Sequence, residues 1–264
     1  MPKDKLFVVG IGPGAKEYIT EFAKKIIKNA DLVAGFEPAI NIIRDLINTR
    51  AEIIVLDYAS EKPKLNMIRS KFRDSKRCVI CCVGDPNFSD QQFIKKIRSA
   101  CSQTGAPRNE FRGTCVTAPC GATSRSAIPP DGTSESSGIG IEVIPGISSV
   151  QIACAKAGLA MEDIRFITFH KSGSLKAEKM ELIEAAKLGK NIILLPRPWD
   201  FMPQDIAKFL IRKGIPPKTR ISVYENLTLK NEAVFRGSLE NFLEKDFSDL
   251  SIMIIKQNRL RQKL

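Results

Sequence analysis

Three short segments rich in glycine and proline constrain the fold of this chain more than any other feature. Each one follows an apolar run, with the sequences GIGPG at 10–14, GDPNF at 84–88 and PGISS at 145–149. Glycine accepts positive φ and proline fixes its own φ, so such segments form stiff, shaped loops. Open parallel sheets bind ligands at the carboxyl ends of their strands. Three such loops at three strand ends therefore predict a cleft.

The first half of the chain has the rhythm of a parallel α/β sheet. Short apolar runs alternate with amphipathic segments, which predicts five strands, at 6–10, 31–34, 52–56, 78–83 and 140–144. Between the first two runs, the helical spacing predicts one buried helix face made of Ile19, Phe22, Ala23, Ile26 and Ile27. Thr20 is the candidate N-cap of this helix.

The second half predicts a smaller, mixed sheet. Its expected strands lie at 164–169, 191–196, 219–224, 232–237 and 251–256, and its expected helices at 175–188, 202–212 and 238–244. Only residues 226–231 separate two of these strands, which favours antiparallel pairing. We therefore predict an α/β fold of two α/β domains, 1–147 and 148–264, with a cleft between them. Ser148 is expected to cap the helix that connects them.

The segment at about 102–138 breaks this pattern. It contains no lysine and is dominated by Gly, Pro, Ser, Thr and Cys, as a loop or an unfolded segment would be. A lid, a lineage-specific insertion and an artefact of the sequence are the alternatives, and we favour an insertion without a catalytic role. Cys101, Cys115 and Cys120 have no histidine near them in sequence, so we predict no metal site.

Composition limits the location and the partners of the chain. No stretch of the 264 residues approaches the roughly 20 apolar residues of a membrane span, and the lysine-bearing start leads directly into a strand. Seven cysteines, an odd number, fit a reducing compartment, so we expect a cytoplasmic protein that does not contact membranes. The net charge of +12 suits either a nucleic acid or a polyanionic small molecule as partner.

Common nucleotide and hydrolase motifs do not match this chain. The first glycine loop follows a strand, and Asp31 lies about 20 residues further on, as in dinucleotide-binding proteins. Ala15, however, stands where that fingerprint requires the glycine that admits a pyrophosphate to the helix N-terminus. Walker, His-Glu-x-x-His and Gly-x-Ser-x-Gly sequences are missing as well. We therefore expect a ligand that is not held by phosphates.

Five motifs together resemble the tetrapyrrole methylase family. They are VGIGPG at 9–14, GDPNF at 84–88, IPGISSVQ at 144–151, FH at 169–170 and YENLT at 224–228. The likeness extends over nearly the whole chain except 102–138. It implies S-adenosylmethionine bound between two α/β domains. The cofactor contacts carried over by motif are Pro13, Gly84, Asp85, Phe88, Ser148 and Ser149, and Arg197 is placed with them.

Within the family, PGISSVQ and ENLT are most similar to members that methylate C5 of a corrin-ring precursor. The resemblance thus implies an S-adenosylmethionine-dependent C-methyltransferase of cobalamin biosynthesis, acting on cobalt-precorrin-7 or its metal-free counterpart. Methylation of another precorrin carbon, of protein or of ribosomal RNA is the alternative, and a non-catalytic binding module is a further one. The resemblance also implies a homodimer and a separate C15-methyltransferase/decarboxylase subunit. We do not expect a nucleic acid as partner.

Several candidate residues have a structural alternative. His170 is the candidate catalytic residue, yet the chain continues Lys-Ser-Gly where the family has Gly-Arg, and a structural histidine is the alternative. Asp85 can bind the cofactor cation or cap a helix. Trp199 can form a wall for adenine or belong to a proline-stiffened turn. Lys171 and Arg197 are candidates for binding substrate carboxylates.

Overall fold

The computed structural model describes residues 5–57, 60–74, 76–89, 91–102 and 139–256. It contains two five-stranded sheets, one parallel and one mixed, so the predicted fold class is confirmed. The strands are β1 (Lys5–Gly10), β2 (Leu32–Phe36), β3 (Glu52–Leu56), β4 (Cys78–Cys82), β5 (Gly140–Ile144), β6 (Ile164–Thr168), β7 (Asn191–Leu195), β8 (Arg220–Glu225), β9 (Ala233–Ser238) and β10 (Ser251–Ile255). The α-helices are α1 (Glu21–Lys28), α2 (Glu37–Ile43), α3 (Glu61–Arg73), α4 (Pro86–Ser89), α5 (Gln91–Ser102), α6 (Ser149–Ala157), α7 (Lys176–Lys187) and α8 (Pro203–Arg212).

The first sheet has the strand order β3-β2-β4-β1-β5, and all of its strands are parallel. Both faces are covered, which explains why its strands are almost continuously apolar. In β4, Cys78 and Cys82 face the core with α3 and α5, whereas Val79 and Cys81 face the core with α1 and α2. Burial raises the pKa of the Cys78 thiol to about 12. This thiol is therefore protonated and inert at neutral pH.

The second sheet has the order β6-β7-β10-β8-β9, with β6 and β7 parallel and the other pairs antiparallel. The central strand β10 is buried on both sides. Its Met253 and Ile255 pack with α7 and α8, and its Ile252 and Ile254 pack with α6. The helix expected at 238–244 is a single 3-10 turn, Leu239–Phe242.

Helix α1 shows where the periodicity was right and where it was wrong. The Thr20 side chain accepts a hydrogen bond from the Ala23 amide at 3.2 Å, so the predicted N-cap is confirmed. Ala23, Ile26 and Ile27 are buried, but Phe22 is 56% exposed. The buried face is centred between Ile26 and Ile27, and Phe22 lies about a quarter turn from that centre, at the solvent edge.

Helix α6 lies between the two sheets in sequence and packs on the second. The Ser148 hydroxyl accepts from the Val150 amide at 3.2 Å, and the Ser148 amide donates to Gln151 Oε1 at 2.8 Å. The predicted cap is therefore confirmed as one half of a reciprocal capping box. The domain boundary between 147 and 148 stays a prediction; it falls between β5 and α6.

Several expectations concern residues outside the described ranges. They include nearly all of the predicted insertion at 102–138, with Cys115 and Cys120. Within the described ranges, no three His, Cys, Asp or Glu side chains are grouped so as to hold a metal ion. Among the same residues, no helix combines the length and the apolar character that crossing a membrane requires.

Candidate functional site

The three glycine-rich loops meet at the carboxyl end of the first sheet. The Gly84 amide donates to the Gly12 carbonyl at 2.7 Å, which joins the second loop to the first, and the Ile11 amide donates to the Cys82 carbonyl at 2.9 Å. The Ile11 bond extends the parallel β1–β4 pairing past the ends of the strands, whereas Gly12 and Gly84 form an isolated antiparallel bridge. The convergence expected from three loops at three strand ends is therefore observed.

Glycine is required at Gly10 because three backbones come together there. A Cβ atom at Gly10 would lie 2.6 Å from both the Gly146 nitrogen and the Gly84 oxygen. Gly84 is different: its φ is +76°, and the space around its missing Cβ is open. The close approach of neighbouring backbones thus requires glycine at position 10. At position 84, glycine allows the left-handed backbone, and the space beside it is open.

A cavity of about 830 Å³ lies over these loops, within the usual size range of small-molecule sites. It is lined from both sheets, by Pro13 and Val83 on one side and by residues 195–196, 198–199, 226–227 and 249–252 on the other. Most of these lining residues are apolar. A second cavity, of about 490 Å³, lies at the opposite end of β6 and β7, away from the loops. The first cavity is therefore the candidate site.

Five of the candidate residues line this cavity: Pro13, Ser149, His170, Lys171 and Trp199. Gly84 and Ser148 are immediate neighbours of lining residues. Phe88 packs edge-on against Phe166 of β6, with ring centroids 5.6 Å apart, and so joins the two sheets. The cofactor contacts of all these residues stay predictions.

Asp85 has the structural contacts of a helix cap. Its carboxylate accepts hydrogen bonds from the Asn87 amide at 2.8 Å and from Asn87 Nδ2 at 3.1 Å. The Asp85 carbonyl accepts from the Phe88 amide at 3.0 Å, at the start of α4. One carboxylate can cap a helix and still bind a cation with its remaining lone pairs. The role of Asp85 toward the cofactor stays a prediction.

Arg197 is held by protein groups on every side. Its guanidinium pairs with the Asp200 carboxylate, with Nη2 to Oδ2 at 2.7 Å, and donates to the Gly173 carbonyl at 2.9 Å and the Lys171 carbonyl at 3.3 Å. Its side chain is only 11% exposed and does not line the cavity. Arg197 therefore fixes the loop after His170, and its predicted contacts with cofactor and substrate stay predictions.

The loop at 170–173 is also tied to the first sheet. Gln92 of α5 accepts hydrogen bonds through Oε1 from the Ser172 hydroxyl at 2.8 Å and from the Ser172 amide at 3.1 Å. Gln92, His170 and Ser172 all line the cavity. Because Gln92 and Arg197 hold the loop from two sides, His170 lies on a rigid wall. Burial lowers the pKa of the His170 ring, so the imidazole is neutral at pH 7.

Comparison with known proteins identifies the family. The model for tetrapyrrole (corrin/porphyrin) methylases matches residues 5–140 and 119–243. The chain belongs to the tetrapyrrole methylase family. It is therefore a methyltransferase. The two matched segments overlap inside the stretch that breaks the sequence pattern, which lies largely outside the described residues.

Three relatives illustrate how far the similarity of this methylase extends. A protein of Methanocaldococcus jannaschii named "Probable cobalt-precorrin-7 C(5)-methyltransferase" is 31% identical, over 94% of this chain and 96% of its own length. A cobalt-precorrin-4 C(11)-methyltransferase of the same organism is 24% identical, over 91% and 81%. The crystal structure of precorrin-6Y methylase from Archaeoglobus fulgidus has a TM-score of 0.62 at 20% identity and covers 96% of this chain and 98% of that one. The structural match supports the fold.

The cations near the cavity of this methylase are already paired. Lys96 and Lys171 line the cavity, and Lys96 lies 2.9 Å from Glu61, whose side chain is only 7% exposed. Lys171 pairs with Glu178. Together with the Arg197–Asp200 pair, no cluster of unpaired positive charge forms among the described lining residues. The expectation of a ligand that is not held by phosphates stays a prediction.

Sequence reasoning missed two features of the site. The Glu61–Lys96 pair joins α3 to α5, and no local pattern brings these side chains together. Ser251 also lines the cavity at 4% exposure, and within the described part of the chain its hydroxyl has no hydrogen-bond partner. It occupies the first position of an apolar strand, where no sequence signal distinguishes it. A buried hydroxyl without a partner requires an explanation such as a ligand.

Proposed function

We propose that this methylase transfers a methyl group from S-adenosylmethionine to C5 of a corrin-ring precursor, cobalt-precorrin-7 or its metal-free counterpart. The observation that carries the C5 assignment is the 31% identity, over nearly the full length of both chains, with the Methanocaldococcus jannaschii protein named for that reaction. The ENLT motif at 225–228 supports the same assignment.

The chemistry of the cavity lining supports S-adenosylmethionine as its ligand. This cofactor carries an ammonium, a carboxylate and a sulfonium but no phosphate, and the cavity offers apolar walls, short hydroxyls and paired cations. Open space beside Gly84 admits a ligand close to the backbone. The indole of Trp199 is 58% exposed and lines the cavity, as a stacking surface for adenine must. Ser251 supplies a hydroxyl that lacks a partner.

We propose that the cofactor is held by Pro13, Gly84, Asp85, Phe88, Ser148, Ser149 and Arg197, as the resemblance implies. Their positions support direct and indirect roles. Pro13 and Ser149 line the cavity, so they contact the ligand directly. Ser148 and Arg197 act by holding the helix and the loop that form its walls.

When bound, S-adenosylmethionine would supply a methyl group carried on a sulfonium, with the thioether of S-adenosylhomocysteine as the leaving group. The contribution of the chain is to hold the acceptor carbon in line with that methyl and to exclude water, since orientation provides much of the rate enhancement in such displacements. His170 is the candidate catalytic residue. Its ring is neutral at pH 7 and can accept a proton within the cavity wall.

The first experiment is a calorimetric titration of the purified chain with S-adenosylmethionine and S-adenosylhomocysteine. We expect micromolar dissociation constants, which correspond to a binding free energy of about −8 kcal/mol. Asp85→Ala should weaken binding, and Asp85→Asn is its matched control, because its amide oxygen can still accept from the Asn87 amide while the charge is lost. Weakening in both variants would support a charge contact with the cofactor, and weakening in Asp85→Ala alone a role of the cap. A folded chain without affinity for either ligand would contradict the proposal.

The acceptor carbon is tested by turnover of the corrin precursor. We expect the product to gain one methyl group by mass spectrometry, located at C5 by NMR with a ¹³C-labelled methyl donor. Methylation of another precorrin carbon is the second candidate, favoured by the similarity to the C(11)-methyltransferase over most of this chain. Label at another carbon would establish that alternative.

The proposed partners follow from the same resemblance. We propose a homodimer and a separate C15-methyltransferase/decarboxylase subunit. Light scattering of the purified chain tests the homodimer, and co-purification with the C15 enzyme tests the second partner. A cytoplasmic location and the lack of a nucleic-acid partner stay predictions.

A further inference from the structure

The loop between β8 and β9 has a strained backbone. Asn226 has a φ of 50° and Thr228 a φ of 69°, and they are the positive-φ residues other than glycine in the described chain. Asparagine tolerates this left-handed region, but a β-branched threonine there is an outlier. Such a conformation persists only where its surroundings hold it, and it is concentrated at functional sites.

Glu232 holds the strained residue. One carboxylate oxygen of Glu232 accepts a hydrogen bond from the Thr228 amide at 2.8 Å. The other lies 2.5 Å from Lys156 Nζ of α6, so the carboxylate is fixed from a second side. The Glu232 side chain is 21% exposed. Burial opposes its ionisation, but the hydrogen bonds from Lys156 and from the Thr228 amide hold the pKa of the carboxyl below its usual value. Thr228 is therefore held by a charge-assisted hydrogen bond, the stronger kind.

The strained loop connects the second sheet to the first glycine loop. The Thr228 hydroxyl accepts a hydrogen bond from the Ala15 amide at 3.0 Å. The Leu229 side chain lies so close to Gly14 that a Cβ there would be 2.8 Å from it. Asn226 and Leu227, on the same loop, line the cavity. The conformation of Thr228 thus decides where both the cavity wall and the first loop lie.

We propose that Glu232 is a positioning residue, which holds residues 226–228 in the strained conformation that forms the cavity wall for the S-adenosyl ligand. The inference rests on the proposed function for the identity of the ligand. The hydrogen bond from the Thr228 amide to Glu232 is present in the ligand-free chain, so this part of the inference does not depend on the proposed function. Glu232 does not line the cavity, so it acts through Thr228.

The test compares Glu232→Ala with Glu232→Gln, whose amide oxygen can still accept from the Thr228 amide. Hydrogen exchange of the Thr228 amide is measured by NMR on the ligand-free chain, and S-adenosylhomocysteine affinity by calorimetry. In Glu232→Ala we expect exchange at least about tenfold faster and a dissociation constant about tenfold higher. Glu232→Gln keeps a neutral acceptor but loses the charge and the pair with Lys156, so it should fall between wild type and Glu232→Ala in both. Glu181→Ala removes a glutamate paired with Arg165 on the surface and should match wild type.

The possible outcomes separate the two proposals. A folded Glu232→Ala chain with wild-type exchange at Thr228, or with faster exchange but wild-type affinity, would overturn the positioning role. If Glu232→Ala does not fold, Glu232→Asp replaces it, since its shorter side chain withdraws the carboxylate from Thr228 while keeping the charge. Failure of the wild-type chain to bind S-adenosylhomocysteine would contradict the proposed function. Hydrogen exchange at the Thr228 amide would then be the measurement that tests whether Glu232 holds Thr228 in place.

Discussion

At the scale of single residues, backbone contacts at glycines shape this site. Gly10, Gly84 and Gly146 come from three loops far apart in sequence, and only the lack of side chains lets them meet. Glycine's two uses are separated here: close approach at Gly10, where φ is ordinary, and a left-handed backbone at Gly84. Substitutions at these two positions should therefore have different costs.

We predict that Gly10→Ala destabilises the chain more than Gly84→Ala. The new Cβ at Gly10 would collide with backbone atoms of two loops, at a cost of about 1–3 kcal/mol, and these atoms cannot turn away as a side chain can. At Gly84 there is room, so the cost is the left-handed φ alone, about 1 kcal/mol. Urea denaturation of both variants measures the difference. Equal stability of the two variants would contradict the assigned contact at Gly10.

His170 predicts a pH dependence of stability. Burial lowers its pKa in the folded chain below the ordinary value of about 6.5. As the pH falls below about 6.5, the unfolded chain binds the proton first, so stability is lost toward lower pH, and above that pH the group contributes no slope. Urea denaturation at pH 7.5 and 5.5 should show a smaller loss in His170→Gln than in wild type. An equal loss of stability in both chains would show that burial does not lower the pKa of the His170 ring.

At the scale of elements, caps and helix faces follow local rules closely. Thr20 and Ser148 were predicted as N-caps, and each side chain accepts a hydrogen bond from a backbone amide of its own helix. Phe22 was wrongly assigned to a buried face because helical spacing gives the direction of a side chain but not the width of the neighbouring surface. The capping signal is local, whereas the edge of a buried face depends on the partner sheet.

Replacement of the two caps should give different losses of stability. We expect Ser148→Ala to cost up to about 2 kcal/mol, because Ser148 is buried and water cannot replace the bond to the Val150 amide. Thr20→Ala, at a more accessible helix start, should cost about 1 kcal/mol. Chemical denaturation with circular dichroism detection gives both values. A neutral Ser148→Ala would show that the capping box does not stabilise α6.

At the scale of the whole molecule, the cavity is built from both sheets. Gln92 joins α5 to the loop after His170, Phe88 packs on Phe166 of β6, and Thr228 holds the first glycine loop. A ligand in the cavity contacts groups from both sheets, so binding should stabilise them together. Ligand binding and the stability of the whole molecule are therefore linked.

We predict that S-adenosylhomocysteine raises the thermal midpoint of the whole chain in one transition. At a concentration 100 times the dissociation constant, linkage adds about 2.7 kcal/mol. For a chain of this size that corresponds to an increase in Tm of roughly 5–10 °C. Differential scanning calorimetry over a series of ligand concentrations measures it. Two separated transitions, with only one shifted by the ligand, would contradict a site shared between the sheets.

The sequence by itself determined the strands, helices α1, α6, α7 and α8, the caps and the three loops, because periodicity, glycine, proline and capping residues act over a few neighbouring positions. It also placed Pro13, Ser149 and His170 where the cavity lies. Only the tertiary structure paired Glu61 with Lys96, brought Arg197 to the carbonyls of Lys171 and Gly173, and paired Lys156 with Glu232. These contacts depend on how two sheets and their loops pack, and a side chain's partner across such a distance leaves no local pattern in the chain.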